Sequence, residues 1–297
     1  MYNLKHRILL DKKTTKFFSV FVKQNATICK FSNSESWVIL SDIEQRIKEK
    51  IDRIGTPLKD WNIQINYGIK TGFNDAFIIN GAKRKELIDA DPKSEEIIRP
   101  ILRGRDIKRY GYNFSDLWLI NSHNGIKEKG IKPININDYP AVKQHLDKYF
   151  PQLENRQDKG DTPYNLRNCA YMEDFNRQKI MYSEIVKEPQ FYLDNAGEFF
   201  PEATTFILTG NHLEYLCNMF NSKTIAYAFK TFYAGGGLGE SGYRYKKVFF
   251  EKLPIPKFDN NKIQQQIKNA QITNNIESLI FKLYGFNSYE ISEIEQI

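Results

Sequence analysis

The densest group of side chains able to do chemistry is a basic run in the first third of the chain. Between positions 99 and 109 five bases accompany a single acid, Asp106; the bases are Arg99, Arg103, Arg105, Lys108 and Arg109. Arginine forms forked hydrogen bonds with phosphate oxygens and with the edge of guanine, so the run is typical of a nucleic-acid surface. It is equally typical of a solvated face whose charges pair with nearby acids such as Glu96. Charge alone leaves both interpretations open.

A second polar group lies at a short stretch bounded by Gly68 and Gly72. Glycine lets the backbone turn sharply there, or lets a ligand approach it closely. The polar side chains are those of Lys70, Thr71 and Asn74, which suit contact with a DNA backbone or a base edge. The alternative is an ordinary hairpin in which Asn74 hydrogen-bonds its own backbone, and the residues alone favour it.

The stretch YAGGGLGESGYRYKK, from Tyr233 to Lys247, contains Gly237-x-Gly239-x-x-Gly242 and so matches the dinucleotide-binding fingerprint in form. That fingerprint needs a strand before it and a helix after it, whereas here a helical pattern precedes it and a β-prone run follows it. The stretch is better interpreted as a mobile glycine loop that carries polar and aromatic side chains towards DNA. The side chains in question are Ser241, Tyr243, Arg244, Tyr245 and Lys246.

Catalytic and metal-binding patterns are weak. Asp91 with Asp106-x-Lys108 imitates the two carboxylates and one lysine of many Mg²⁺-dependent nucleases, in which the carboxylates hold the metal. Asp91 lies in a predicted loop and Asp106 follows a predicted helix end, so the spacing carries little weight. The four histidines and three cysteines show no metal-ligand spacing. We therefore predict no catalytic residue, metal site or cofactor site in this chain.

Composition fits a basic intracellular protein. The chain has 297 residues, a net charge of +7 and a pI of about 9.0, which suit a partner that carries phosphates. Three well-separated cysteines without a CxxC pair predict a reducing cytoplasm. No apolar run approaches the length of a membrane span, so we expect no membrane partner.

The elements that would position these residues indicate an α+β fold. Ser41 and Glu44 predict a helix that ends at Gly55-Thr56-Pro57, and Pro92 with Ser94 predicts another that ends near Gly104. Further helices are expected from Tyr139 to about Asp158, over His212 to Tyr233 with a break near Asn221-Ser222, and along the tail from Asn261. Strands are predicted at Ile63 to Tyr67, Ala76 to Ile79 (the pair joined by the glycine-bounded turn), Leu117 to Ile120, Lys179 to Ile185, Phe191 to Leu193 and Phe206 to Leu208. These elements predict a mixed or antiparallel sheet with flanking helices and a helical C-terminal tail. The expected division is a connector (1–60), a central domain (61–256) and the tail (257–297).

Several segments, taken in order, resemble the C-terminal specificity domain of TaqI-like adenine DNA methyltransferases and of type IIG restriction-modification enzymes. They are GIKTGFNDAF (Gly68 to Phe77), IIRPILRGRDIKRYG (Ile97 to Gly111), Tyr139 to Arg167, RQKIMYSEI (Arg177 to Ile185), LCNMFNSK (Leu216 to Lys223) and KLPIP (Lys252 to Pro256). The resemblance implies a target recognition domain for double-stranded DNA. It also implies that the basic run, the glycine-bounded turn, Arg167 and the glycine loop contact that DNA.

The sequence lacks two motifs of a catalytic methyltransferase, which agrees with a recognition role. An amino-methyltransferase of this family needs an Asn-Pro-Pro-Tyr-type motif to hold the flipped base, and no two of the 11 prolines here are adjacent. A glycine-rich loop for S-adenosylmethionine between a strand and a helix is also missing. We therefore expect a methyltransferase domain or subunit as partner, with S-adenosylmethionine bound there. The alternatives are a specificity subunit of a type I restriction system and a self-sufficient Mg²⁺-dependent nuclease.

Overall fold

The computed structural model describes residues 40–234, 242–257, 265–267, 269–270 and 276–296. The helices are α1 (Asp42–Ile54), α2 (Asn74–Phe77), α3 (Gly81–Ala90), α4 (Pro140–Asp147), α5 (Phe150–Asn155), α6 (Leu213–Phe220), α7 (Lys223–Ala228), α8 (Lys247–Phe250), α9 (Ile276–Tyr284) and α10 (Ser288–Ile294). The strands are β1 (Gly55–Pro57), β2 (Ile63–Tyr67), β3 (Ile78–Asn80), β4 (Ile98–Leu102), β5 (Ile107–Lys108), β6 (Gly111–Tyr112), β7 (Leu117–Ile120), β8 (Lys179–Ser183), β9 (Ile185–Val186), β10 (Phe191–Asp194), β11 (Phe200–Pro201), β12 (Thr205–Gly210), β13 (Tyr243–Arg244) and β14 (Pro254–Pro256). The α+β fold expected from the sequence is confirmed.

The central layer is an antiparallel sheet with strand order β10-β8-β12-β2, covered on both faces. Successive side chains of a strand point to opposite faces, and the apolar residues of β8 divide accordingly. Ile180 and Tyr182 enter a core shared with the helices near both ends of the chain, whereas Met181 enters a second core. That second core is built on the other large sheet, a mixed one with strand order β11-β4-β7-β3.

The two strands predicted to form a hairpin around the glycine-bounded turn belong to different sheets. β2 pairs with β12 of the central sheet, while β3 pairs with β7 of the mixed sheet. After β3 the Asn80 side chain accepts a hydrogen bond from the Lys83 N–H and caps α3. The glycine-bounded stretch therefore connects the two sheets.

The helix predicted from Pro92 to near Gly104 is wrong over most of its length. A 3₁₀ helix covers Pro92–Ile97, and β4 follows at once. Pro100 explains the change, because a proline inside an α-helix removes a hydrogen bond and clashes with the preceding turn. In β4 it lies opposite Trp118 instead.

Segments near the two ends of the chain pack together. α1 begins with the predicted capping box, in which Ser41 accepts from the Glu44 N–H and Glu44 accepts from the Ser41 N–H. β1 pairs antiparallel with β14, and Lys50 on α1 contacts Glu290 on α10 at 2.6 Å. The predicted break at Asn221-Ser222 lies between α6 and α7. Within the described residues, no helix is long and apolar enough to span a membrane.

Candidate nucleic-acid interface

Tyr67 ends β2, an edge strand of the central sheet, and its ring is 51% exposed. The strand's alternation predicts that Ile63, Ile65 and Tyr67 share one half-buried face, yet only Ile65 is buried. One side of the Tyr67 ring packs on Phe206 of the neighbouring strand, with the ring centroids 4.6 Å apart. Tyr67 also lines two surface cavities, so its ring lies between them. An aromatic residue directly before Gly68 is the sequence signal that could have identified this position.

The first cavity has a volume of about 270 Å³ and brings together two residues that the sequence predicts as DNA contacts. Lys70 and Arg167 both line it, although they are almost a hundred positions apart in the chain. Lys70 is exposed, and Arg167 is half exposed with its guanidinium 2.9 Å from the Asp158 carboxylate. Between them the lining includes Asn168 and Tyr171. The cavity therefore has a cationic edge and a partly aromatic wall.

Thr71 and Asn74 stabilise the turn between the sheets. The Thr71 side chain is 2% exposed, and its hydroxyl donates to Asn74 Oδ1 at 2.5 Å while accepting from the Phe73 N–H at 3.2 Å. Thr71 is therefore held inside the turn, although the turn joins two sheets and is not the hairpin of the alternative interpretation. Asn74 is exposed, and its Oδ1 is engaged by Thr71.

Arg156 connects the two chain segments that carry Lys70 and Arg167, and no sequence pattern indicated this role. Its guanidinium donates to the backbone carbonyls of Thr71, Asp158, Pro163 and Asn165, and it lies 4.4 Å from the centroid of the Phe77 ring. The side chain is buried, and burial lowers its pKa to about 10, so it stays charged near neutral pH. Because its partners include Thr71 beside Lys70 and Asn165 shortly before Arg167, one side chain holds the segments that carry both cations.

The second cavity, of about 440 Å³, lies on the other side of Tyr67. Lys246, a predicted DNA contact, lines it and is exposed. Lys247 also lines it, but its ammonium group donates to the Ile65 carbonyl at 3.0 Å. Val248 is 58% exposed there, an unusual position for an aliphatic side chain. Lys70, Arg167 and Lys246 therefore lie around one exposed tyrosine.

Two aromatic residues predicted to contact DNA belong to the core, and their assignment to the interface is corrected. Tyr243 and Tyr245 are each 2% exposed. The Tyr245 ring stacks on Phe229 with centroids 4.5 Å apart, and burial raises the pKa of its hydroxyl well above the usual value. A base cannot stack on a ring that already contacts the core. Arg244 between them is half-buried on β13, and Ser241 lies outside the described residues.

The basic run between Arg99 and Arg109 divides into engaged and exposed side chains. Arg103 forms a fork with Asp106, with both N–O distances 2.9 Å, and Ser115 donates to the same carboxylate at 2.8 Å. Burial raises the pKa of Asp106, but these hydrogen bonds outweigh it and hold that pKa below its usual value. Arg105 and Arg109 are exposed. Arg109 also lies 5.4 Å from the centroid of the Tyr110 ring.

The remaining members of the run bond to the backbone. Arg99 donates to the Glu95 carbonyl at 3.3 Å and to the Glu96 carbonyl at 2.8 Å. Lys108 donates to the Arg105 carbonyl at 2.7 Å. These contacts keep the charges while fixing the side chains, so Arg99 and Lys108 can still add positive potential to a nearby phosphate.

The acids of the nuclease alternative are engaged elsewhere. Asp91 caps the 3₁₀ helix by accepting from the Lys93 N–H at 3.2 Å and the Ser94 hydroxyl at 3.3 Å. Asp106 accepts from Arg103 and Ser115 as described above. In the part of the chain that the structure describes, no group of three histidines, cysteines, aspartates or glutamates could hold a metal ion. The two carboxylates therefore have structural partners, which argues against a Mg²⁺ site built on them.

The elements beside the glycine loop match the sequence analysis. Gly237 and Gly239 lie outside the described residues. Helical structure that ends at Tyr233 precedes them, and the strand β13 follows them. The order is opposite to the strand and helix that a dinucleotide fingerprint requires.

The fold defines an α+β domain whose two four-stranded sheets are joined beside a cationic surface. The family model of the TaqI-like C-terminal specificity domain matches residues 99–255, just over half of the chain, and the chain belongs to this family. The structure is similar to that of MmeI, a type IIL restriction-modification enzyme solved in complex with DNA, with a TM-score of 0.56 and 15% identity over 80% of this chain and 35% of that one. It is also similar to the type IIG restriction endonuclease BpuSI, with a TM-score of 0.55 and 12% identity over 86% of this chain and 32% of that one. The chain spans about a third of the length of each enzyme.

Proposed function

We propose that this chain recognises the double-stranded DNA target of a restriction-modification system. The observation that carries the proposal is the convergence of Lys70 and Arg167 at one cavity beside the exposed ring of Tyr67. Membership of a family of specificity domains supports it, as does the likeness in fold to an enzyme solved with DNA. The excess of positive charge would draw the chain to phosphates.

In this proposal the surface around Tyr67 positions the duplex. Lys70, Arg167 and Lys246 would contact phosphates, which fix register and orientation without reading sequence. Arg105 and Arg109 would extend the positive potential along the DNA. Arg244 and the glycine loop would read base edges in the major groove, where each base pair is distinguishable.

The proposal includes an adenine methyltransferase partner, as a domain or as a separate subunit. That partner would bind S-adenosylmethionine, flip the adenine and transfer the methyl group, while this chain supplies the choice of site. The DNA would then lie between the two. A cytoplasmic location belongs to the same proposal, because the target of such a system is intracellular DNA.

A salt titration tests DNA binding by named side chains. Binding of a mixed-sequence duplex would be followed by fluorescence anisotropy from about 50 to 200 mM salt. We expect Lys70→Met and Arg167→Met each to reduce the slope of log affinity against log salt by about 0.9, the effect of one lost phosphate contact. Lys85→Met is the matched control, since Lys85 is an exposed lysine of α3 paired with Asp89 and lines neither cavity. Equal slopes for all four proteins would remove these residues from the interface.

The alternatives predict different outcomes. A type I specificity subunit would need a second recognition domain and long spacer helices. A self-sufficient nuclease would cleave plasmid DNA with Mg²⁺ alone, and Asp91→Asn would abolish that cleavage. The engagement of Asp106 by Arg103 favours recognition over cleavage.

A further inference from the structure

The first cavity presents hydrogen-bond donors that have no acceptor among the described residues. His123 Nδ1 accepts from the Gly125 N–H at 3.1 Å, so the neutral ring carries its proton on Nε2. Asn168 Oδ1 accepts from Asn124 at 2.6 Å, and within the described residues the NH₂ group of Asn168 has no acceptor. Lys70 adds an ammonium group at the edge. A ligand that matches these groups carries hydrogen-bond acceptors and a negative charge.

The walls of the cavity are irregular segments held by buried polar side chains. Asn165 is 2% exposed and donates to three carbonyls, of which the Ile134 carbonyl is nearest at 2.9 Å. Asn124 is 8% exposed and donates to Asp161 and Asn168. Arg156 contributes the carbonyl contacts described above. Such a network fixes loops that lack regular secondary structure, as a preorganised binding site requires.

The size and remaining lining favour a flat, partly aromatic ligand. At about 270 Å³ the cavity lies just below the range of roughly 300–1,000 Å³ that holds drug-sized molecules. The rings of Tyr67 and Tyr171 line it and are at least partly exposed, whereas Phe175, which also lines it, belongs to the core. Aromatic side chains stack readily on the face of any nucleobase.

We propose that this cavity binds one nucleotide outside a helical stack, with its base against the aromatic lining and its phosphate at Lys70 and Arg167. In the DNA complex, that nucleotide would be one extruded from the duplex, and this form of the inference rests on the proposed function. The His123 and Asn168 donors would meet acceptors on the edge of the base. A free nucleoside monophosphate offers the same chemistry, and the experiment distinguishes the two sources.

The first arm compares a fully paired duplex with four duplexes that each carry one bulged nucleotide of a different base. We expect at least one bulged duplex to bind about tenfold tighter, within the range that one base stacked on an aromatic side chain contributes. Ala170→Phe narrows the cavity without changing charge, because Ala170 lines it. That variant should bring the ratio of bulged to paired affinity close to one, whereas Lys85→Met should keep the wild-type ratio. Thermal unfolding of each variant identifies any that fails to fold, and Ala170→Leu then replaces it.

The second arm titrates the four deoxynucleoside 5′-monophosphates and follows tyrosine fluorescence. Saturable binding that Ala170→Phe abolishes, without a preference for bulged DNA, assigns the cavity to a free nucleotide. The absence of both responses overturns the inference, while retained binding of the paired duplex leaves the proposed function standing. If the paired duplex does not bind, the proposed function fails, whatever the monophosphates do.

Discussion

Arg103 and Arg105 are two residues apart, yet the structure gives their side chains different environments. The Arg103 guanidinium forms a fork with a carboxylate that is 5% exposed, whereas Arg105 is exposed. Removing one partner of a buried charge pair leaves the other uncompensated. The same basic run therefore contains a residue that stabilises the fold and a residue whose side chain is exposed.

Arg103→Ala should lower the free energy of unfolding by about 3 kcal/mol, the low end for a broken buried pair, because Arg103 itself is partly exposed. Arg105→Ala should change it by less than about 0.5 kcal/mol, as is usual at the surface. Urea denaturation at pH 7 measures both. Equal destabilisation by the two substitutions would contradict the difference between their environments.

Asp106 should make stability depend on pH in the acid range. Its pKa is lowered in the folded protein, so it contributes stability above the pKa of an unfolded aspartate, about 3.9. That contribution is lost as the pH falls through the still lower pKa of the folded state. Asp106→Asn should therefore be less stable than the wild type at pH 7, and the difference should shrink below pH of about 4. A difference in urea midpoint that stays constant from pH 7 to pH 3 would argue against this role.

At the residue scale, sequence predicts which side chains can bind phosphate but not which are available. Tyr243 and Tyr245 stand in a polar, glycine-rich context that is typical of a loop, yet both rings are in the core. In the sequence, Arg156 cannot be distinguished from a surface arginine. Its buried site forms only when the chain folds around it. Lys70 and Arg167 were predicted individually, and it is the tertiary fold that brings them to one cavity.

At the scale of elements, Arg156 acts as a connection between two segments of chain. Arg156→Met should remove the donor from the Thr71, Asp158 and Pro163 carbonyls, at roughly 1–3 kcal/mol for each that remains buried, whereas the Asn165 carbonyl still accepts from the Gly160 N–H. Arg156→Lys keeps the charge but cannot reproduce the planar fork, so it should recover only part of that loss. Amide hydrogen exchange should accelerate at 69–74 and 158–167 in both variants, and more strongly in the methionine variant.

The control for Arg156 is Arg177→Met. Arg177 is exposed, and its contact with Asp174 is long, at 3.5 Å. Its exchange rates should match those of the wild type in the two segments. Protection that survives in Arg156→Met would show that other contacts hold the cavity walls.

Element type was easier to predict from the sequence than the pairing of elements. The alternation in β2 and the capping box of α1 are local signals, and both elements form where expected. The partners of β2 and β3 lie over a hundred and about forty positions away, and no local pattern specifies them. A hairpin was therefore the natural prediction for a stretch that joins two sheets.

At the scale of the whole molecule, segments near both ends of the chain complete one core. α1 contributes Ile47 and Ile51, and the C-terminal helices add further buried side chains to the same cluster. Those side chains are Ile276, Ile280, Phe281, Tyr284 and Ile294. The tail expected from the sequence is thus packed against the helix that precedes β1, and the two strands β1 and β14 pair beside it.

Deleting residues 276–297 should abolish cooperative unfolding. Each of the large apolar side chains removed contributes roughly 1.5–3 kcal/mol through burial. Five of them together are comparable with the entire stability of a typical domain, about 5–15 kcal/mol. Ile47, Ile51 and Ile255 would also become exposed. Thermal unfolding followed by near-ultraviolet circular dichroism should show a sigmoidal transition for the full chain and none for the truncated one.

Tyr289→Ser is the control within the same segment, because Tyr289 is 76% exposed and its loss should leave the transition unchanged. A cooperative transition in the truncated chain at the temperature of the full chain would mean that the C-terminal helices are an appendage and that the core is complete without them.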